Sequence, residues 1–404
     1  MTTSPPQPPI ALLTILAALT ILLMPMAGLR LPLASGPGAF DDVQLVLYAF
    51  DLPLALAAIV VAPAALRRLR GLPSDPIALT GAALLALFAV ALAVHPTPGG
   101  AALVVRLTAC ALLAYAVSLQ RSARARALVL GALAVAIVSE VLVAAVQLAN
   151  DAPAGLGVLG EFADPIGRTP RGFMWHPYAL AGLALVSSAT FAWRALGSAR
   201  PRGWAILAAV AIAPAGVSYS RVALLAAALV GAPLAVARRR AVARWVIAAM
   251  ALGIALPAAA GSEGWTTSLD RGLLSDRGAL ALQSLAIVSK SPVVGVGPDR
   301  YLPELSARPD LRTTRLVQEV HSVPLIVAAE AGVPAGLALI ALLVLIARRA
   351  LALGPGALSL AGALLPWILL DVYPYVNPQG TILTAVWGGL LIGALPGPAE
   401  RSAA

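Results

Sequence analysis

Residues 101–126 read AALVVRLTACALLAYAVSLQRSARAR. An apolar run of about 20 residues matches the thickness of a bilayer's hydrocarbon core. It ends in Arg121, Arg124 and Arg126, and basic residues clustered at one end of a span hold that end on the cytoplasmic side. A single ionisable residue, Arg106, stands inside the run. Apolar span, basic exit and isolated internal charge are the three features that organise the rest of the chain.

Of 404 residues, 60% are hydrophobic and 11% charged, far below the roughly 25% charged residues of a soluble domain. The expected fold class is an all-α integral membrane protein with twelve transmembrane helices, at about 10–30, 43–66, 76–95, 100–119, 127–149, 174–195, 203–219, 221–237, 242–261, 323–347, 356–376 and 380–396. The first run has no basic residues before it and no small-residue cleavage site after it, so it reads as a retained helix. Every even-numbered exit is basic. Arg67, Arg68 and Arg70 follow span two, and the Arg121 group follows span four. Arg194, Arg200 and Arg202 follow span six, Arg238, Arg239, Arg240 and Arg244 span eight, and Arg348 and Arg349 span ten. By the positive-inside rule those loops, and both termini, are cytoplasmic. The net charge of +10 is thus a set of topology signals and does not point to nucleic acid. One cysteine, Cys110, cannot form an internal disulfide, and no Cys/His cluster suggests zinc.

The odd-numbered exits then face outward. Two are long: 150–174 and 261–320. A loop longer than about 15 residues is usually functional or disordered. The chain divides into spans one to nine (1–261), a long outer loop (262–322) and spans ten to twelve (323–404). Within the loop, GALALQSLAIV (278–288) is patterned as an amphipathic helix lying on the membrane or on the domain. No internal repeat is evident.

Four ionisable residues stand out inside spans: Asp51, Arg106, Glu140 and Glu330. Each costs about 2.5–3.5 kcal/mol on insertion scales unless paired or hydrated. Counted down straight helices, all four fall roughly 9–15 Å below the outer surface, as expected of a polar cavity open outward. A structural alternative pairs Arg106 with Glu140 or Asp51 as a lock on the bundle.

Three outward segments carry candidate chemistry. GRTPRGFMWHPYALAG (167–182) holds Arg168, Arg171 and His176; the plainer alternative is a solvated loop with an interfacial Trp175. SYSR (218–221) places Arg221 on the side where basic residues are scarce; its planar fork suits phosphate oxygens, and the alternative is snorkelling to lipid headgroups. The third segment begins at Arg277, runs through SPVVGVGPDRY (291–301) with Gly295 and Gly297, and ends in VQEVHSVPLIVAAEAGVPAG (317–336) with His321 and Glu330. A histidine accepts a proton near neutral pH. Glu330, nine positions on, is about 13 Å from His321 along a straight helix, too far to be its direct partner.

The ordered series Arg277, Pro292, Gly295, Gly297, His321, Glu330, Gly332, Gly336 resembles the O-antigen ligase and polysaccharide polymerase superfamily. So do S-x-S-R with Arg221 and R-G-F-x-x-H-P with Arg171 and His176, in the same order upstream. Ser322 stands where that family usually has Asn, and Tyr178 where it often has Asn. The resemblance implies a membrane glycosyltransferase in the bacterial cytoplasmic (inner) membrane with its site facing outward. Its donor would be a glycan on a polyprenyl diphosphate, undecaprenyl diphosphate for instance. Its acceptor would be a hydroxyl of a glycan or lipid, in lipopolysaccharide or another envelope polysaccharide. On this footing His321 is the base, or orients the acceptor only. Arg221 and Arg277 clamp the diphosphate, with Arg168, Arg171 and Arg300 in reserve. Glu330, His176, Gly295, Gly297 and Arg106 support the site, and neither metal nor cofactor is called for. The competing expectations are a transporter or lipid-linked oligosaccharide flippase, for which twelve spans also suit, and an envelope scaffold.

Overall fold

The computed structural model describes residues 9–26, 29–35, 44–69, 75–120, 122–150, 170–174, 176–261, 263, 265–266, 277–308 and 318–394. These residues are helical apart from one antiparallel hairpin, β1 (Arg30–Ser35) with β2 (Gln44–Tyr48), and the connections. The helices are α1 (Ile10–Leu23), α2 (Asp51–Leu69), α3 (Pro76–Val94), α4 (Pro98–Ser118), α5 (Ala123–Asn150), α6 (Pro177–Gly197), α7 (Pro201–Val217), α8 (Arg221–Ala235) and α9 (Arg240–Ala260). They continue with α10 (Arg277–Lys290), α11 (Tyr301–Ala307), α12 (Val323–Ala331), α13 (Val333–Leu353), α14 (Pro355–Leu370), α15 (Tyr373–Val376) and α16 (Pro378–Gly389), which ends in a π-helical turn.

Among the described residues, six helices are long and apolar enough to cross a membrane: α3, α4, α5 over Ala123–Ala149, α6, α9 and α13. Helices α1, α7, α8 and α14 are apolar but shorter. Side chains such as Ile59, Val105, Leu142 and Trp245 stand well exposed on the outside, the surface a lipid solvent favours and water does not. The core is built around α6, whose apolar window is 94% buried, against 11% for α3 at the periphery. Polar side chains collect on this central helix. Ser188 donates to the Ala208 carbonyl (2.7 Å) and Thr190 to Val186 (2.7 Å), so both of these buried hydroxyls are satisfied. Close packing uses small residues: at Gly216 of α7 a Cβ would press on the Ile254 backbone of α9.

Contacts between connections sort them to two ends of the bundle. At one end Gln379 donates to the Met24 and Pro25 carbonyls (2.7 and 3.2 Å), His176 stacks on Tyr373, and Gly297 lies on His95. Helices α6 and α7 form a hairpin (Ser188 against Ala208), which carries residues 218–220 to that same end. At the other end Arg239 donates to Ser198 (3.0 Å) and Arg349 to Ile392 (3.4 Å).

Three expected spans are interrupted. Span two starts as strand β2 and becomes helical only at Asp51. Span ten breaks at Gly332, whose φ of +89° and ψ of 162° lie in a region open essentially to glycine alone. Span eleven breaks at Asp371, between α14 and α15. Because α12 folds back at Gly332, with Gly336 packed on Ala328 and Pro324, Glu330 is not two turns down a straight helix. Gly297, which touches His95, donates its N–H to the Glu330 carbonyl (3.0 Å). Glu330 therefore lies level with the α3–α4 connection, and the depth counted from sequence is corrected accordingly.

Candidate functional site

The end of the bundle where α14 stops gathers the ionisable and aromatic side chains. Asp371 is fully buried, and its Oδ1 accepts the Val372 N–H (2.8 Å). His321, just ahead of α12, brings Nδ1 to 3.5 Å from Asp371 Oδ1, with 27% of its side chain exposed. The imidazole thus has one edge against a carboxylate and part of its surface open. At 3.5 Å the contact is electrostatic and longer than a good hydrogen bond.

His176 caps α6 and is buried. Its Nδ1 accepts the Tyr178 N–H (3.1 Å), which leaves the ring proton on Nε2. Asp371, Arg171 and His321 lie near enough for their charges to act on the ring. The ring stacks on Tyr373 at 4.2 Å between centroids, and Tyr178 meets both rings edge-on. His176 is therefore a neutral donor in a wall of aromatic rings.

Helix α5 holds the segment leading into α6. Gln147 accepts the N–H groups of Arg171 and Gly172 (both 2.9 Å) and donates to the Gly172 carbonyl (3.0 Å). The fully buried Glu140 accepts the Phe173 N–H (2.9 Å). Gly172 has φ +65°, and a Cβ there would strike the Glu140 carboxylate. Glu140 thereby fixes the loop that delivers Arg171 and His176.

A second cluster adjoins the first through α15. Glu330 accepts from the Tyr375 hydroxyl (2.6 Å) and the Tyr301 N–H (3.2 Å). The loop after α10 lies against the α12–α13 break: Val296 donates to Ala329 (2.9 Å) and Val333 to Pro292 (2.8 Å). Gly295 (φ +67°) and Gly297 (φ +104°) permit that approach, since a Cβ at Gly295 would collide with the Glu330 backbone. Desolvation of the carboxylate, with Glu319 adding to it and Arg106 opposing, raises Asp299 to about 6.

Of the residues singled out from sequence, His321, His176 and Arg171 come together. Glu330, Gly295 and Gly297 form the adjoining scaffold. Arg106 pairs with Asp51 (3.2 Å) and not with Glu140. Arg221 opens α8 at the same end. Arg277 opens α10, which runs alongside α12 in the same direction: Ser284 meets Leu325, and the following loop meets Ala329 to Val333. The start of α10 therefore points toward the His321 end. Arg168 lies outside the described residues. Asp371, Tyr373 and Gln147 were missed. An acid inside the apolar span 356–376 was the available signal for Asp371; nothing local marks the other two. Among the described residues no group of three His, Cys, Asp or Glu side chains is arranged to hold a metal ion. Set against known proteins, the chain matches no family model and no curated protein.

Proposed function

We propose that this chain is a membrane glycosyltransferase that moves a glycan from a polyprenyl-diphosphate carrier to a hydroxyl acceptor. Twelve helical segments would then thread the membrane with both termini cytoplasmic, and residues 262–320 would lie outside. The observation that supports it best is the approach of His321 to the buried carboxylate of Asp371 (3.5 Å), at the end of the bundle where Arg171 and His176 also arrive.

The acceptor oxygen attacks the anomeric carbon, and the carbon–oxygen bond to the diphosphate breaks, its electron pair leaving with the phosphate. The acceptor proton passes to His321 Nε2. Asp371, facing Nδ1, favours the imidazolium that results. Arg221 and Arg277 stabilise the charge developing on the diphosphate, with Arg171 and Arg168 as further cations. Glu330, Gly295 and Gly297 hold the loop in register, and Arg106 anchors α4 to α2. The imidazole belongs at the membrane's edge because the tail is oily and the acceptor alcohol is in water.

The test is transfer by purified protein supplied with a polyprenyl-diphosphate glycan and candidate glycan or lipid acceptors, with and without EDTA. Transfer that survives EDTA is expected. No transfer to any acceptor would count against the proposal. The helix breaks at Gly332 and Asp371 favour a second reading, because interrupted helices line substrate sites in transporters. Movement of a lipid-linked glycan across vesicles without any transfer would establish that alternative.

A further inference from the structure

The end of the bundle away from His321 carries a guanidinium that the pattern of basic exits does not explain. Arginines that merely orient a span are exposed, as Arg200, Arg202 and Arg348 are. Arg194 is different. It stands in the last turn of the central helix α6 and is half-buried. Its Nε is buried and has no hydrogen-bond partner among the described residues. The guanidinium lies 5.7 Å from the centre of the Trp204 ring, and Trp204 stacks in turn on Phe191. Arg126, in the first turn of α5, is near enough for its charge to act on Arg194.

Two cations close together, one of them partly withdrawn from water, cost free energy unless an anion answers them. The face of Trp204 supplies part of the answer. No described carboxylate supplies the rest. Helix α3 ends at His95 on the His321 side, so Asp75, which caps the start of α3 by accepting the Ala78 N–H (3.2 Å), belongs to the Arg194 end. It is the one carboxylate there among the described residues, and α3 packs on α13 and α4, away from this site.

Depth indicates what surrounds the pair. Trp204 falls in the first turn of α7, and tryptophan gathers where a span meets lipid headgroups. Just beyond Arg126 and Trp204, Leu128 of α5 and Ile206 of α7 are exposed apolar side chains, suited to hydrocarbon. An anion at this level is a phospholipid phosphate, whose oxygens fit the planar fork of arginine. Two positive charges with no carboxylate favour a headgroup of net negative charge and disfavour one that carries its own cation.

We propose that Arg194, Arg126 and Trp204 form a binding site for the headgroup of an anionic phospholipid. The site stands apart from the transfer reaction proposed above, whose residues lie at the opposite end of the bundle.

The test uses the full chain, delipidated in detergent, with phosphatidylglycerol, phosphatidylcholine and inorganic phosphate as probes and bound lipid counted by native mass spectrometry. Wild type should bind phosphatidylglycerol more tightly than phosphatidylcholine. Arg194→Gln should weaken phosphatidylglycerol about tenfold, as expected for a lost hydrogen bond to a charged group, and leave phosphatidylcholine unchanged. Arg126→Gln should act in the same direction and decides the matter if the Arg194 variant does not fold. Arg348→Gln removes an equal charge from the same end and should change nothing. Equal weakening by Arg348→Gln, or a folded Arg194 variant with the wild-type preference, overturns the site and assigns the lipid to the general positive field of this face. Displacement of phosphatidylglycerol by inorganic phosphate would also overturn it, with a soluble anion as the occupant.

Discussion

Asp371 is fully buried, and its Oδ2 has no hydrogen-bond partner among the described residues. A buried carboxylate without full satisfaction is costly, and the His321 imidazole, with Nδ1 at 3.5 Å, is the ring that faces it. If the carboxylate steadies the imidazolium, Asp371→Asn should lower kcat roughly a hundredfold, in the range general-base catalysis supplies, with little change in KM. A change confined to KM would make Asp371 a packing residue. Arg277→Lys keeps the charge and loses the planar fork; a fall in turnover of about tenfold is expected, and normal turnover would remove the clamp from that position. His321, His176 and Arg171 were legible as residues because ionisable groups beside apolar spans stand out. Their convergence was not, because it depends on α14 stopping at Asp371.

At the scale of elements, the sequence pattern locates helices well and their interruptions poorly. Hydropathy runs unbroken through Gly332 and Asp371, so 323–347 and 356–376 each read as one span, yet each divides. A lone glycine in an apolar run is ordinary in a membrane helix, and only the contact of the 291–297 loop explains this one. Gly332→Ala would force a side chain into a glycine-only conformation and against the Val293 carbonyl. It should destabilise by about 2 kcal/mol or more, seen as a lower Tm in detergent; an unchanged Tm would show that the break is not needed. The same loop carries Asp299, at φ +60° and with its carboxylate against Gly99 in the first turn of α4. Its pKa stands at about 6 against an ordinary 3.8. Below 3.8 the folded and unfolded chains both hold the proton, and the neutral acid is tolerated against Gly99. As pH rises toward and through 6 the folded chain must place a charge there, and stability falls. The residue as a whole keeps an exposed flank, so solvent screening holds the loss to about 1 kcal/mol. Asp299→Asn keeps the size and the backbone preference, so it should raise the Tm at pH 7 and flatten the acid side of the profile. A lower Tm at pH 7 would mean that the charge is used.

For the whole molecule, the basic exits assign a side to each connection only as an expectation; among the described residues, contacts bring the connections near Pro25, His95, His176 and Tyr373 to one end of the bundle and those near Ser198, Arg239 and Arg349 to the other. Composition could not show that α6 would be the central post, since burial among helices that are all apolar follows from which faces carry small and hydroxyl side chains. Cysteine labelling of intact cells should reach positions in 262–320 from outside and those near Arg239 only after permeabilisation; the reverse pattern would invert the topology. The central claim is that His321 takes the acceptor's proton at this end of the bundle. Its most direct test is glycan transfer from a purified polyprenyl-diphosphate donor by His321→Ala, shown to be folded and inserted. Loss of transfer with donor binding retained is the predicted result; transfer at the wild-type rate would contradict it.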